Sequence, residues 1–347
     1  MVEPVSLPGL DIESLERFFH REIPGVARGQ LSAQLFAGGK SNLTYALTDG
    51  RTEWVLRRPP LGHVLETAHD MSREYKVMHA LNGTDVPVPV MVAMCEDLEV
   101  IGAPFYVMSF VNGTIYRTQE QLDALGDTEA GALAENLVEV LTRLHRVDPA
   151  RVGLADLGRP AGFLERQIRR WGKQIAASHS RDIPELDTLS ERLAEAIPVS
   201  ARSSIVHGDF KLDNVVVEPN HDSEIVCVLD WEMATLGDPL LDLANLVMWW
   251  EGIYDINGRS FAAAPGLVPA FPGRDHLIQR YAQITGADLD EFPWYLGFAC
   301  LKLACIFEGM YFRQTQGLTV GSGFDQLAGL APALAARGHD VLRGASR

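Results

Sequence analysis

The sequence predicts an α+β fold of two lobes: a small N-terminal lobe with an antiparallel sheet and a helix, and a larger, mainly helical C-terminal lobe. Short β-prone segments cluster in the first third of the chain, whereas long amphipathic helical patterns dominate the rest. The 347 residues suffice for two lobes with a sizeable core. The Asn112-Gly113 turn between the two regions predicts lobes over 1–111 and 112–347.

The predicted N-terminal lobe combines strands with helices. Asp11 is placed to cap a first helix, and Met71, Tyr75 and Met78 recur at helical spacing in a later one. In chain order, the predicted elements are a helix over 11–20, strands over 31–36, 43–47 and 52–57, a helix over 70–81, and strands over 90–95 and 105–110. Alternation in the first strand is typical of a half-buried sheet.

The predicted C-terminal lobe is mainly helical. Its strongest helix has a leucine-rich face and Thr128 as a plausible N-cap. The predicted helices cover 128–146, 163–177, 186–197, 276–285, 293–316 and 324–343, with a buried helix starting at Asp242 and short strands at 204–206, 215–217 and 225–229. Residues 249–273, rich in aromatic residues, glycine and proline, predict a long irregular insertion.

The most informative segment is residues 207–214, His-Gly-Asp-Phe-Lys-Leu-Asp-Asn, here called the HGD loop. Apolar runs lead into it and out of it, and a third apolar run ends on Asp230. The pattern predicts a loop between short strands, with Asp209, Asn214 and Asp230 at neighbouring strand ends. Three oxygen-bearing side chains at one spot suit a hard divalent cation, usually Mg²⁺ shared with a phosphate.

An Asp-x-x-x-x-Asn spacing with a later strand-end Asp is the pattern of a kinase catalytic loop and its metal-binding acid. In that scheme Asp209 accepts the proton of the attacking hydroxyl, while Asn214 and Asp230 hold the metal. The alternative is a pair of hairpin turns that merely use Asp and Asn, which are common turn residues. The Asp-Trp-Glu at 230–232 and the Gly-Asp-Pro-Leu-Leu-Asp-Leu-Ala run that follows argue against that alternative.

A Gly-Gly-Lys-Ser turn at 38–41 invites comparison with a P-loop, which the sequence does not support. A P-loop needs a glycine where Gln34 stands, and a helix after its lysine, whereas this turn runs into a β-prone strand. The better interpretation is a glycine-rich hairpin over nucleotide phosphates. Its predicted nucleotide-binding residues are Gly38, Gly39, Ser41 and Asn42.

The third strand ends with two arginines and has no lysine to hold nucleotide phosphates. Alternation directs only one of them inward, and we choose Arg57 over Arg58 because Arg57 shares a face with Val55. A guanidinium can grip phosphate with two hydrogen bonds. Glu74, on the predicted helix over 70–81, is the candidate partner of Arg57.

The segment before the Asn112-Gly113 turn is the predicted hinge. Its backbone over 109–111 would contact the nucleotide base, with Met108 and Phe110 as neighbours of the pocket.

Composition excludes several classes of protein. The formal net charge of −16 argues against a general binder of nucleic acid or of an anionic membrane. No basic segment followed by an apolar core opens the chain, and the late apolar stretch 295–307 is interrupted by Lys302 and too short for a bilayer. Four cysteines without a CxxC pair indicate reduced thiols. We therefore expect a soluble cytoplasmic protein.

Motifs along nearly the whole chain carry a family resemblance. They are GGKSNLTYAL, WVLRRPP, REYKVMHAL, GFLERQIRRW, HGDFKLDN, VLDWEMATLGDPLLDLA and EGMYFRQTQG. In this order they resemble the aminoglycoside phosphotransferase-like family. GFLERQIRRW and EGMYFRQTQG narrow the resemblance to the branch associated with acyl-CoA dehydrogenases.

The resemblance implies a bilobal protein-kinase-like fold and phosphorylation of a small-molecule hydroxyl with ATP and Mg²⁺. In this branch the implied acceptor is a hydroxyacyl-CoA or hydroxy acid, and an acyl-CoA dehydrogenase is the implied functional partner. The acid at Asp242 is expected to brace the HGD loop from beneath.

Other interpretations stay open from the sequence. The acidic net charge fits a kinase of a cationic acceptor such as an aminoglycoside, choline or an amino sugar, and the missing lysine fits a nucleotide-binding module without catalysis. Arg166, Arg169 and Arg170 form either a docking surface for an anionic acceptor or a solvated helix face. Glu232 is either near the metal or a turn residue. The choice between ATP and GTP, and the oligomeric state, are not encoded in these motifs.

Overall fold

The computed structural model describes residues 7–36, 42–61, 70–177, 181–218, 223–316 and 327–344. The chain divides into two compact units. The first comprises Met1–Gly113 with Val226–Glu232, and the second comprises Thr114–Ile225 with Met233–Arg347. The sequence predicts a boundary two residues earlier and does not predict that Val226–Glu232 groups with the N-terminal part.

The first unit is built on one antiparallel sheet. Its strands are β1 Ser32–Leu35, β2 Leu43–Thr48, β3 Glu53–Arg58, β4 Met91–Cys95 and β5 Phe105–Ser109. They lie in the order β1-β2-β3-β5-β4. In this register Arg57 lies opposite Thr44 on one side and Tyr106 on the other. The sheet therefore holds Arg57 on its central strand with β5 alongside.

Helices complete the first unit: α1 Ile12–Glu22, α2 Met71–Leu81 and the short α3 Leu98–Ile101. Asp11 caps α1 as predicted, because its carboxylate accepts from the N–H of Glu13 at 3.1 Å. The core beside α1 contains Phe18 and Phe19 from the helix with Tyr45 and Phe105 from the sheet. α3 was not predicted, since four residues are too few to show a helical period.

The second unit is mainly helical. Its helices are α4 Gln119–Asp123, α5 Asp127–Arg146, α6 Phe163–Ala177, α7 Pro184–Glu195, α8 Leu240–Glu251, α9 Arg274–Thr285, α10 Phe292–Thr315 and α11 Leu327–Leu342. Two short strands flank the HGD loop, β6 Ser204–Val206 and β7 Val215–Val217, and β9 Thr235–Gly237 lies later in the same unit. The strand β8 Ile225–Val228 falls almost wholly within the segment Val226–Glu232 of the first unit. β6 pairs antiparallel with β9, with Ser204 opposite Gly237. These strands fix both ends of the loop. The predicted fold class is confirmed in both units.

One local prediction, the N-cap of α5, is corrected. Thr128 does not cap α5: the helix starts at Asp127, its N-cap is Gly126, and the Glu129 side chain accepts from the Gly126 N–H at 3.2 Å. The strand β9 and the helix α4 were also not predicted, because each is too short to show a period.

α10 is the single helix of the described ranges that is long and apolar enough, by length and composition, to cross a membrane. It runs for 24 residues, which corrects the expectation that the apolar stretch is too short. Most of its apolar window is buried within the structure, as in the core helix of a folded domain. All four cysteines are buried free thiols.

Candidate active site

The glycine of the HGD loop adopts a conformation that other residues rarely reach. Gly208 has a φ of +85°, and a Cβ at this position would lie 2.7 Å from the Cβ and from the carbonyl oxygen of Met233. Left-handed backbone strains residues that carry a Cβ. Both the positive φ and the close approach of Met233 therefore require glycine at this position. The tight turn that glycine allows presents Asp209 just after β6.

Asp242, in the first turn of α8, braces this turn as expected. Its carboxylate accepts from the backbone N–H groups of His207 at 2.6 Å and Gly208 at 2.8 Å. His145 Nε2 lies 3.3 Å from the same carboxylate. Burial alone would raise the pKa of Asp242, but the hydrogen bond with His145 and the nearby imidazoles outweigh burial and lower the pKa. A buried, ionised carboxylate thus fixes the start of the loop.

Asp209 and Asn214 lie side by side within the second unit. The Asn214 Nδ2 group donates to the Asp209 carbonyl at 2.9 Å and to its carboxylate at 3.2 Å. The Asp209 side chain is 23% exposed, so a small molecule can reach it. The sequence prediction that these two residues act at one place agrees with this geometry, while their chemical roles stay predictions.

Sequence reasoning missed two neighbours of Asp209. Lys211 Nζ lies 2.8 Å from the Asp209 carboxylate and 4.2 Å from the centre of the Trp249 ring. Asn245 donates to the Phe210 carbonyl at 3.1 Å and makes a longer 3.5 Å contact with Asp209. Lys211 lies inside the HGD loop, and Asn245 follows Asp242 by one helical turn. The sequence positions of both residues could therefore have indicated that they lie near Asp209.

A second cluster lies within the first unit. Arg57 Nη2 lies 3.4 Å from the Glu74 carboxylate and 3.3 Å from the Asp230 carboxylate. Tyr106 donates a hydrogen bond to Glu74 at 2.9 Å. Burial raises the pKa of Glu74, and the charge of Arg57 opposes that rise. The predicted partner of Arg57 is thus in place, and Tyr106 is an additional member that the sequence did not reveal.

The neighbouring arginine has a different environment. Arg58 is 5% exposed, and its guanidinium donates to the carbonyl of Ile101 at 2.9 Å and to that of Gly9. It is therefore engaged in holding the N-terminal segment and α3. Of the two candidates left open by the sequence, Arg57 is the one beside Glu74 and Asp230; its phosphate-binding role stays a prediction.

The two predicted metal ligands have features that fit a cation. Asp230 has a φ of +67°, a strained conformation of the kind found at functional sites. The hydrogen bonds from Asn214 to Asp209 both use its Nδ2 group, so its amide oxygen is the atom that would face a metal. An amide oxygen and a carboxylate suit Mg²⁺. In the described ranges no cluster of three His, Cys, Asp or Glu side chains is arranged for another metal.

Asn42 carries a direct signal of a ligand. It is 4% exposed, yet among the described residues neither its Nδ2 nor its Oδ1 has a hydrogen-bond partner. An orphaned buried amide destabilises a protein unless something binds it, so this residue fits its predicted contact with a nucleotide. The other three predicted residues of the turn, Gly38, Gly39 and Ser41, lie outside the described residues.

The predicted hinge is partly engaged by the sheet. Met108 is buried in β5 at 5% exposure, whereas Phe110 is 37% exposed. The N–H of Ser109 donates to the Val90 carbonyl at 2.8 Å, and the N–H of Phe110 donates to the Glu53 carbonyl at 3.3 Å. These two N–H groups therefore hold strands together, and the predicted base contact through the hinge is not tested.

The arginines of α6 are differently placed. Arg166 donates to the carbonyls of Arg159 and Ala161, so it serves its own segment. Arg169 and Arg170 are exposed, and Arg169 Nε donates to the Glu165 carbonyl at 3.3 Å. Arg170 lies over the ring of Trp171, 5.4 Å from its centre. The docking surface stays a prediction.

A pocket opens beside the HGD loop within the second unit. Leu212 and Asp213 of the loop line it together with Trp249, Trp250 and Pro265. Burial raises the pKa of Asp213, against the nearby charge of Lys211. The lining thus combines apolar side chains with two charged ones, the carboxylate of Asp213 and the guanidinium of Arg117.

The structure brings the predicted residues together in two groups. Asp209 and Asn214 belong to the second unit, while Arg57, Glu74 and Asp230 belong to the first. The combination of Asn214 and Asp230 around one metal stays a prediction from the sequence.

Comparison with known proteins identifies the family. A model of the phosphotransferase enzyme family, APH, matches residues 32–277, which include both groups of residues. The chain belongs to this family. Membership supports small-molecule phosphotransferase activity.

Relatives of this phosphotransferase family member include acyl-CoA dehydrogenase family member 11 of Rattus norvegicus, 36% identical over 91% of this chain, and that of Homo sapiens, 34% identical over 88%. The chain spans about two fifths of these relatives, 41% and 40% of their lengths. The predicted branch is therefore confirmed. Hygromycin-B 4-O-kinase of Escherichia coli is 26% identical over 51% of the chain and 56% of its own.

Solved structures agree with the family assignment. A Ralstonia eutropha JMP134 protein, provisionally named an aminoglycoside phosphotransferase, is 34% identical with a TM-score of 0.83 and coverage of 97% of this chain and 99% of its own. The aminoglycoside phosphotransferase APH(4)-Ia, solved with AMP-PNP and hygromycin B, has a TM-score of 0.61 at 16% identity over 96% and 99% of the two chains. The second likeness shows the fold alone.

Proposed function

We propose that this protein transfers the γ-phosphoryl group of ATP to a hydroxyl group of a small molecule, with Mg²⁺ bound. The observation that carries the proposal is the arrangement of the HGD loop: Asp209 is partly exposed at a braced turn and held by Asn214 and Lys211. It occurs in a member of a phosphotransferase family, which makes a chance pair of turn residues an inadequate explanation.

In the proposed reaction Asp209 orients the acceptor hydroxyl and takes its proton. The hydroxyl oxygen bonds to the γ-phosphorus as the bond from that phosphorus to the bridging oxygen breaks, and ADP leaves. The protein contributes mainly orientation and charge, as positioning groups do in phosphoryl transfer. Lys211, beside Asp209, is placed to hold the carboxylate in one orientation.

The proposed ligands of the nucleotide and of the metal come from both clusters described above, the one around Arg57 and the one around Asp209. Arg57 is proposed to hold phosphate oxygens, with Glu74 fixing its position, and the orphaned amide of Asn42 is proposed to bind the nucleotide. Asn214 and Asp230 are the proposed ligands of Mg²⁺. The bound metal supplies neutralisation of phosphate charge.

The acceptor is proposed to be a hydroxyacyl-CoA or a hydroxy acid. The lining beside the HGD loop combines the apolar side chains of Trp249 and Trp250 with Arg117, which supports an acceptor that has an aliphatic part and an anionic part. The relatives named acyl-CoA dehydrogenase family members support the same choice. They also motivate the proposal that an acyl-CoA dehydrogenase is the functional partner. The free thiols support the separate proposal that the protein acts in the cytoplasm.

A cationic acceptor is the second candidate. The net charge of −16 and the similarity to hygromycin-B 4-O-kinase favour it, and Asp213 would offer a carboxylate to a cation. A nucleotide-binding module without catalysis is less well supported, because Asp209, Asn214 and Asp230 are all present.

The test is Mg²⁺-dependent release of ADP against a panel of acceptors. The panel comprises 4-hydroxyacyl-CoA thioesters, the free hydroxy acids, aminoglycosides and choline. Asp209→Asn serves as the inactive control, and Asp275→Asn, an exposed aspartate of α9 with 81% exposure, serves as the matched active control. ADP release with a thioester, absent in Asp209→Asn, is the expected result.

Two other outcomes would change the proposal. Turnover only with a cationic acceptor would replace the acyl acceptor while keeping the kinase. Binding of ATP without transfer to any member of the panel would favour the non-catalytic module.

A further inference from the structure

Lys302 is a partly buried cation outside the residues assigned so far. It lies on α10, and its Nζ group donates to the carbonyl oxygen of Gly208. Burial lowers the pKa of this ammonium, against the nearby carboxylates of Asp209 and Asp242. Taking an ammonium group even partly out of water is costly unless its donors find partners, and here the donor reaches the HGD loop.

The carbonyl that Lys302 contacts belongs to the peptide group joining Gly208 to Asp209. The other polar atom of that peptide group is the Asp209 N–H, which donates to Nδ1 of His207 at 3.2 Å. Lys302 and His207 therefore hold the two ends of one peptide plane. Because a peptide group is planar, fixing its oxygen and its N–H fixes the direction in which the chain enters the Cα of Asp209.

The orientation of the Gly208–Asp209 peptide group depends on hydrogen bonds from side chains. The Gly208 N–H is bound by Asp242, and its φ of +85° belongs to a residue with wide conformational freedom. Without an external donor, the carbonyl of such a glycine can rotate readily. α10 supplies that donor from a position 94 residues away in the chain.

We propose that Lys302 is a positioning residue for phosphoryl transfer, which acts by holding the Gly208–Asp209 peptide so that the Asp209 carboxylate meets the acceptor hydroxyl. The inference rests on the proposed function for its kinetic consequence. The structural consequence, a more ordered HGD loop, is expected whether or not the proposed function is correct.

The test compares Lys302→Met, which keeps the length of the side chain without its donors, with Lys302→Arg, which keeps a cationic donor. Lys173→Met removes a lysine from an exposed position of α6 and is the matched control. In Lys302→Met we expect kcat to fall about 10- to 100-fold, with KM for ATP within about twofold of the wild type. Lys302→Arg should recover most of that loss, and Lys173→Met should match the wild type.

Hydrogen–deuterium exchange of the full-length protein supplies a readout that does not need activity. Peptides covering 204–214 should exchange faster in Lys302→Met than in the wild type or in Lys302→Arg, while peptides of α5 should be unchanged. If the wild type has no kinase activity, the proposed function fails and exchange alone decides the role of Lys302.

Three results would overturn the inference. The first is unchanged exchange over 204–214 in Lys302→Met. The second is kcat within twofold of the wild type for the same variant. The third is a uniform loss of protection across α10 and α5 in both Lys302 variants, which would mean that the lysine serves general stability.

Discussion

The carboxylate of Asp242 accepts a hydrogen bond from the backbone N–H of Gly208 at 2.8 Å. A residue of helix α8 thereby controls the turn that presents Asp209. Because Asp242 is 1% exposed, its charge is stabilised by these donors and not by water. The brace is thus an ionised group whose contribution depends on hydrogen bonds to the loop.

Replacing Asp242 with Asn should destabilise the protein and reduce activity. An amide keeps one acceptor oxygen but turns an N–H₂ group toward another backbone donor, which leaves buried groups unsatisfied. The expected loss is about 1–3 kcal/mol in the free energy of unfolding, measured by urea denaturation. Asp275→Asn, at an exposed position, should change stability by less than about 0.5 kcal/mol.

The same variant has a characteristic pH dependence. Folding lowers the pKa of Asp242, so its stabilisation is present above the unfolded pKa of about 3.9 and is lost as the pH falls toward the lower folded value. The stability difference between wild type and Asp242→Asn should therefore be constant near neutral pH and narrow below about pH 4. A difference that widens on acidification would contradict the assignment of an ionised brace.

The Arg57–Glu74 pair allows stability and nucleotide binding to be separated. Arg57→Met leaves Glu74 buried without its cation, which should destabilise the protein by about 3–5 kcal/mol. Adding Glu74→Gln removes the uncompensated charge and should recover much of that loss. ATP affinity, measured by calorimetry, should stay weak in the double variant. Full recovery of affinity would show that Arg57 has no part in binding phosphates.

Asn42 should show the opposite relation between stability and binding. Its buried amide has no hydrogen-bond partner in the part of the chain that the structure describes. Asn42→Leu should therefore leave the free protein equally stable or more stable, since it removes an unsatisfied group worth about 1–3 kcal/mol. ATP binding to the variant should weaken. Unchanged ATP affinity would mean that the orphaned amide does not face the nucleotide.

Much of the fold and of the candidate site was predictable because it depends on residues that are close together in the sequence. Helical spacing predicted α2, the capping position of Asp11 predicted the start of α1, and the alternation of β3 directed Arg57 and Arg58 to different environments. The spacing within the HGD loop predicted that Asp209 and Asn214 act together, and the structure places the Asn214 amide on Asp209.

The contacts that sequence reasoning missed are long-range. Lys302 reaches Gly208 across 94 residues, and Tyr106 reaches Glu74 across 32. Such pairs depend on how helices and strands pack, which no local period encodes. Short elements such as α3 and β9 were missed for a different reason, because three or four residues cannot show a period.

The central claim is that Asp209 is the base of a phosphoryl transfer. The most direct measurement is the single-turnover rate at which label passes from γ-³²P-ATP to the acceptor identified by the panel, in wild type and Asp209→Asn, with ATP affinity measured in parallel. We expect the rate to fall about 100-fold or more, with ATP affinity and melting temperature nearly unchanged. A rate in Asp209→Asn close to that of the wild type would contradict the assignment.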